Sequence, residues 1–283
     1  MFTRPDINRC LCLMTLEWGD EMTVFTCENN FESMMTCIYD AWASKKGHSN
    51  VRLMKGPIAQ PDLFTEYIHV DADEDKVIKV VRSIQKKISY EAYMQVFYAA
   101  LSHEADALDT IYRFLILGFA YGKQVTSMLS EPVVMRMMEL KRNVGNEAHY
   151  FREFARFSSV GGQVYVCHIE PKSNVLLYVA NHFRDRMPSE HWVIMDDNRK
   201  VAAIHPVNED FYIRYLTDEE ADALSKTEQI EDEFIGLWRT FFDTIGIKER
   251  NNPSCQRNMF PIWMRKHAVE FQKNERIIAP RES

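Results

Sequence analysis

The chain has 283 residues, 46% of them hydrophobic and 27% charged, with only ten glycines and ten prolines, a balance that excludes a disordered or low-complexity protein. That length suffices to bury a self-sustaining core in one large or two ordinary domains, and two packed subdomains are expected. The formal net charge of −7 excludes an indiscriminate nucleic-acid binder, yet residues 248–283 carry eight Lys/Arg against four acids, a local balance of +4 that leaves −11 on the rest.

The first 20 residues fit the pattern of the rest poorly, and Met22 is a candidate natural start, so residues 1–21 are set apart as an extra segment. No leader-like apolar run with a cleavage site opens the chain. The six cysteines (Cys10, Cys12, Cys27, Cys37, Cys167 and Cys255) lack any paired spacing and read as free thiols of a reducing cytoplasm. The most apolar run, "IYRFLILGFA" at 111–120, contains Arg113 and is about half the ~20 residues a bilayer span needs. No membrane segment is expected.

A strand is expected in "EMTVFTC". A helix follows in "NNFESMMTCIYDAWASKK", with Asn30 as N-cap and Phe31, Met34, Ile38 and Trp42 spaced three or four apart. "TEYIHV" reads as a short strand. "DADEDKVIKVVRSIQKKIS" reads as a helix whose acids gather at its positive N-terminal dipole and whose lysines sit at its end. Further helices are expected at about 89–102, 106–125 and 132–151, the last opening on Pro132. Residues 22–150 therefore form a mainly helical subdomain.

The texture changes at Phe154. "FARFSSVGGQVYVCHIEP" alternates around Gly161-Gly162, a hairpin signal because glycine supplies the positive φ that a tight turn needs. A helix "NVLLYVANHFRDRM", the strand "HWVIM", the turn "DDNRK" and the strand "VAAIHP" complete a strand-strand-helix-strand-strand unit. Helix returns over 217–246, with Phe234, Leu237, Trp238, Phe241 and Phe242 on one face. The fold class is α+β, with residues 151–283 as an α+β subdomain ending in the basic stretch.

Motif by motif, catalytic signatures fail. "GFAYGKQ" has three residues between its glycines and a glutamine after lysine, so it is not a phosphate loop; Gly118 and Gly122 suit close helix packing. "HIE" at 168–170 resembles the His-x-Glu of zinc deaminases, but the Pro-Cys-x-x-Cys pair that completes their metal is absent. Asp196 and Asp197 could face a metal, although Asp and Asn are also ordinary turn residues. No metal or other cofactor is assigned. His182, Asp185 and Arg186 share one helix face, where an acid–base pair beside a phosphate-binding cation competes with a plain charged surface. His149, Arg152 and Arg156 form a second cationic cluster. In "NNPSCQRNMFPIWMRKHAVEF", Arg257 and Lys266 can pair with phosphates, and Asn251, Asn252 and Gln256 can bond phosphate or base edges. Phe260 and Trp263 offer stacking faces or, equally, a core stripe.

Several segments, in order, resemble a bacterial family described as "probable DNA metabolism or repair protein": "FESMMTCIYDAW", "LGFAYGKQV", "NEAHYFREFARF", "VYVCHIEPKSNVL", "HFRDRMPSEHWVIMDDNR" and "NPSCQRNMFPIWMRKHAVEF". The resemblance spans about residues 22–273, and the family's main region is a domain of unknown function. It implies a companion radical-SAM DNA-modification or repair protein and similar regions fused to a uracil-DNA-glycosylase-like domain. No Cys-x-x-x-Cys-x-x-Cys run is present here, so radical chemistry would belong to the partner, and the glycosylase's acidic, aromatic water-activating loop is missing. By the same resemblance the marked positions are His149, Arg156, Glu170, Pro171, His182, Phe183, Arg186, Trp192, Asp196, Arg199, Asn252, Gln256, Pro261 and Lys266; Trp263 stands slightly displaced from the family pattern.

The resulting expectation is a cytoplasmic DNA-metabolism protein. It would bind DNA through His149, Arg156, Arg186, Arg199, Asn252, Gln256, Arg257 and Lys266 and work with the radical-SAM protein. Two rivals stand beside it. One is a protein-interaction adaptor that does not touch DNA. The other is a self-contained DNA-directed hydrolase using His182 and Asp196 as catalytic residues.

Overall fold

The computed structural model describes residues 22–58, 62, 65–225, 237, 238, 240, 241, 244 and 252–271. The segment set apart at 1–21, with Cys10 and Cys12, lies outside the described residues, as do Phe234, Phe242 and Asn251. The fold is mixed α+β and forms two compact units, Met1–Gly145 and Asn146–Ser283.

In the first unit, β1 (Thr23–Cys27), β2 (Val51–Lys55) and β3 (Glu66–His69) form a parallel sheet in the order β2-β1-β3. The central strand β1 is buried along its whole length, as expected of a parallel strand covered on both faces. Helix α1 (Phe31–Ala43) begins where Asn30 Oδ1 accepts the Ser33 N–H at 2.7 Å, and α2 (Glu74–Lys87) begins on the equivalent Asp73 cap. Each cap satisfies an amide that the first helical turn leaves without a backbone acceptor. Helices α3 (Tyr90–Ala100) and α4 (Ala107–Tyr121) follow, and α5 (Pro132–Phe154) starts in this unit and ends in the second, which holds its residues from Asn146 onward. Met34, Ile38, Val80, Ile84, Val96, Leu108, Ile111 and Leu115 meet in one apolar core.

The sequence reading missed β2, whose "VRLMK" has only a partial alternation, its first and third residues buried and its second exposed. The two glycines of "GFAYGKQ" divide their roles. A Cβ on Gly118 would sit 2.6 Å from Ile88 Cδ1, so Gly118 permits a close approach. Gly122, at φ +62°, closes the helix, a backbone state other residues adopt at a cost.

The second unit carries the antiparallel hairpin β4 (Phe157–Val160) and β5 (Val164–Ile169), turning through Gly161 and Gly162 at φ +61° and +70°. Helix α6 (Leu176–Arg186) then crosses to β6 (His191–Asp196), which pairs parallel to β5. β7 (Val201–His205) and β8 (Tyr212–Tyr215) continue antiparallel, giving the order β4-β5-β6-β7-β8. β8 was not anticipated, because all four of its residues are exposed and none reports a buried face. After α7 (Asp218–Ser225), the basic stretch forms α8 (Pro253–Met259) and two 3-10 turns at Ile262–Met264 and Val269–Phe271. Leu237, Trp238 and Phe241, expected on an apolar helix face, are exposed. Among the described residues no helix is long and apolar enough to cross a membrane, and the four described cysteines are free thiols.

Because Gly118 has no room for a branched side chain beside Ile88, Gly118→Val should destabilise the first unit by about 1–3 kcal/mol through overpacking. Urea denaturation of the wild type and the variant would measure it.

Candidate functional site

Parallel pairing of β5 with β6 aligns His168 with Met195 and Ile169 with Asp196. The next residues, Glu170 and Asp197, therefore stand side by side at the carboxyl edge of the two strands, where parallel sheets commonly receive ligands. Side chains alternate along a strand, so His168, Glu170 and Asp197 share one face and Asp196 points to the other. Two adjacent aspartates thus acquire different environments from the pleat alone.

On the first face, His168 is buried, its side chain 3% exposed, and its Nδ1 lies 3.0 Å from Asp197 Oδ1. The Asp197 backbone N–H donates to the Ile169 carbonyl at 3.0 Å, extending the ladder by one step. The C-terminal stretch supplies the rest. His267 Nε2 lies 3.6 Å from Glu170 Oε1 and 3.7 Å from Asp197 Oδ2, and its ring stacks against that of His168. Lys266 Nζ pairs with Glu170 Oε1. One imidazole nitrogen and two carboxylate oxygens, from Glu170, Asp197 and His267, all fall within 4.8 Å of one another.

On the opposite face Asp196 is buried, its side chain 1% exposed. Burial raises its pKa above the usual carboxylate value, and the Arg199 guanidinium opposes that rise. Arg199 donates to Asp196 Oδ2 and the Pro171 carbonyl, both at 2.9 Å, and to the Lys172 carbonyl. Glu147, from α5, accepts the Lys172 N–H at 2.6 Å and the Ser173 N–H at 3.1 Å. The loop after β5 is thereby held from two sides. Lys172 Nζ in turn lies 4.8 Å from the centre of the Trp263 ring, a cation–π distance.

The C-terminal stretch docks through more than this corner. Arg156 Nη2 and Glu270 Oε1 are 2.6 Å apart with the Glu270 side chain 3% exposed, and Arg156 also lies over the Trp238 ring at 5.5 Å. Phe260 stacks on Phe154 with centroids 3.8 Å apart and is buried, while Trp263 meets Phe151 edge-on and stays 39% exposed. The two alternatives for this aromatic pair therefore divide: Phe260 is core and Trp263 is a half-open face. Burial pushes the Glu270 carboxyl up, but hydrogen bonds from Arg156 and its own backbone pull it below the usual value.

The expected site residues differ in how far the fold engages them. Arg156, Arg199 and Lys266 come together around the β5–β6 edge and its docked segment, each in an ion pair within the unit. His149 is exposed and paired with Glu153 at 3.0 Å on α5. Asn252 caps α8 through the Cys255 N–H, and Gln256 and Arg257 on that helix are exposed. On α6 Arg186 is exposed beside the half-buried His182. Burial, then the charges of Arg152 and Arg186, lower the His182 pKa, with Asp185 opposing. Among the described residues no hydrogen bond, ion pair or ring contact joins His182 on α6 to Asp196 at the end of β6. What the sequence reading missed is the grouping of Glu170, Asp197 and His267. "HIE" and "DDNRK" each drew attention alone, but only strand register and a fold-back from 70 residues downstream of Asp197 unite them.

A family model described as a domain of unknown function, DUF4130, matches residues 105–270, more than half of the chain. No curated protein matches it.

The depressed Glu270 pKa has a definite sign. An acid held below its unfolded value of about 4.5 contributes stability above that value and loses it as pH falls through the folded pKa. The stability difference between wild type and Glu270→Gln should therefore be full at pH 7 and shrink progressively below pH 4.5. Urea melts across that range would measure it.

Proposed function

We propose that this chain, which belongs to the family of the domain of unknown function DUF4130, is a cytoplasmic DNA-metabolism or repair component that contacts nucleic acid and works alongside a radical-SAM protein. The partner and the repair setting rest on the sequence resemblance. The observation that supports nucleic-acid contact is the positive corner around His182. Burial and then the charges of Arg152 and Arg186 act on that imidazole, and Arg186 is exposed, so its guanidinium can donate charge-assisted hydrogen bonds to a phosphate oxygen. The exposed Gln256 and Arg257 of α8 add polar donors of the kind that track a backbone. On an acidic chain, binding of this type is local and phosphate-led.

A second reading, a hydrolase acting on DNA, is favoured by one observation: the convergence of Glu170, Asp197 and His267. In that reading the chemistry leaves His182 and Asp196 for this cluster. Asp196 then serves to hold Arg199 and the loop after β5.

Fluorescence anisotropy with labelled single- and double-stranded DNA should show binding that weakens steeply between 50 and ~200 mM salt, as counterion release requires. Arg186→Glu/Arg257→Glu, both at exposed positions, should reduce the affinity at least about tenfold with the circular dichroism unchanged. Absence of binding at low salt would overturn the nucleic-acid reading and favour the adaptor.

A further inference from the structure

We propose that Glu170, Asp197 and His267 form a binding site for a first-row divalent transition metal of zinc's size, with His168 holding Asp197 in position. The sequence spacing assigns no metal here, and the site exists only because the C-terminal stretch folds onto the end of β5 and β6.

The donor geometry is the first argument. Tetrahedral sites with bonds of about 2.0–2.2 Å place neighbouring ligand atoms roughly 3.3–3.6 Å apart. His267 Nε2 lies 3.6 Å from Glu170 Oε1 and 3.7 Å from Asp197 Oδ2, close to that spacing, and the two carboxylates offer oxygens within 4.8 Å of each other, so the three converge on a volume that one ion can fill on contraction. Three protein ligands leave the fourth position open to water or a substrate oxygen, the pattern of reactive rather than structural zinc sites.

Support behind the ligands is the second argument. A carboxylate that ligates a metal is itself usually oriented by a hydrogen bond. Asp197 has one: the buried His168 Nδ1 lies 3.0 Å from Oδ1 and 3.3 Å from Oδ2, and Oδ2 is also the oxygen that faces His267. The adjoining loop is fixed by Arg199 and by Glu147, and His267 itself sits in a turn with its side chain 11% exposed. Such a frame does more than neutralise charge on a surface, where an imidazole would not need to be aimed between two carboxylates.

Lys266 bears on the same balance. Its ammonium pairs with Glu170 Oε1 while its side chain is 62% exposed, so a flexible, largely solvated stem holds a charge that can withdraw at little cost. The lysine then acts as the competitor of the incoming ion. The imidazole donor favours zinc, cobalt or iron over magnesium or calcium, which prefer all-oxygen shells.

Titration of the full chain with Co²⁺, followed by its visible ligand-field absorption and by calorimetry, tests the site without DNA or any assumed activity. It therefore stands or falls apart from the nucleic-acid reading. One equivalent should bind, Zn²⁺ should displace it, and excess Mg²⁺ should not. His267→Ala and Asp197→Asn should each weaken binding by at least tenfold, with folding checked by circular dichroism and thermal melts. Should either variant misfold, Lys266→Met provides the check at an exposed position: it should bind Co²⁺ about two- to fivefold more tightly. No stoichiometric binding to the wild type, weaker binding by a folded Lys266→Met, or undiminished binding by folded His267→Ala and Asp197→Asn would overturn the proposal.

Discussion

The ion pair between Arg156 and Glu270 ties the C-terminal stretch to the junction of α5 and β4, across 114 residues of sequence. Glu270 is almost fully buried there, and a buried carboxylate is tolerated only with a well-placed partner, since removing one partner strands the other charge. Phe260 on Phe154 and Trp263 against Phe151 add apolar area to the same docking. In the segment held in this way, Lys266 and His267 meet Glu170 and Asp197 at the ends of β5 and β6. The candidate site is a consequence of that docking.

The second constraint is the parallel pairing of β5 and β6. A one-residue slip would exchange the faces of every side chain, sending Asp197 inward and Asp196 outward. In the observed register Asp196 anchors Arg199, which staples the loop after β5, while Asp197 faces His168 and His267. Neighbouring carboxylates therefore divide the work of holding the loop and presenting charge. The same economy governs the cations of the second unit. Arg156, Arg199 and Lys266 are engaged within the fold, whereas Arg186 and Arg257 face solvent. A basic count at the C-terminus is thus a poor guide to which charges meet a ligand.

Much of the fold was legible because local physics and tertiary structure agree. Asn30 caps α1, Gly161-Gly162 turns the first hairpin, and α2 carries its acids in the first turn and its lysines in the last. Where the elements draw their stability from neighbours, the signal was weak: β2 is short with mixed burial, and β8 is exposed throughout. The site was less legible. Its ligands come from two strand ends and a turn, and no linear spacing reports strand register or a distant fold-back. His182 and Asp196 were attractive as single residues, and the fold sets one on α6 and the other at the end of β6 in the hold of Arg199. His267, inside the stretch read as a nucleic-acid surface, carried no signal of its own.

The claim on which the rest depends is that the C-terminal stretch is docked through Arg156 and Glu270. A double-mutant cycle with Arg156→Gln, Glu270→Gln and the double variant, measured by urea denaturation at pH 7, tests it directly. The account predicts that the two losses are strongly non-additive, with a coupling energy above about 1 kcal/mol. Additivity within about 0.3–0.5 kcal/mol would mean the two side chains do not meet, and would contradict the docking and the site built on it.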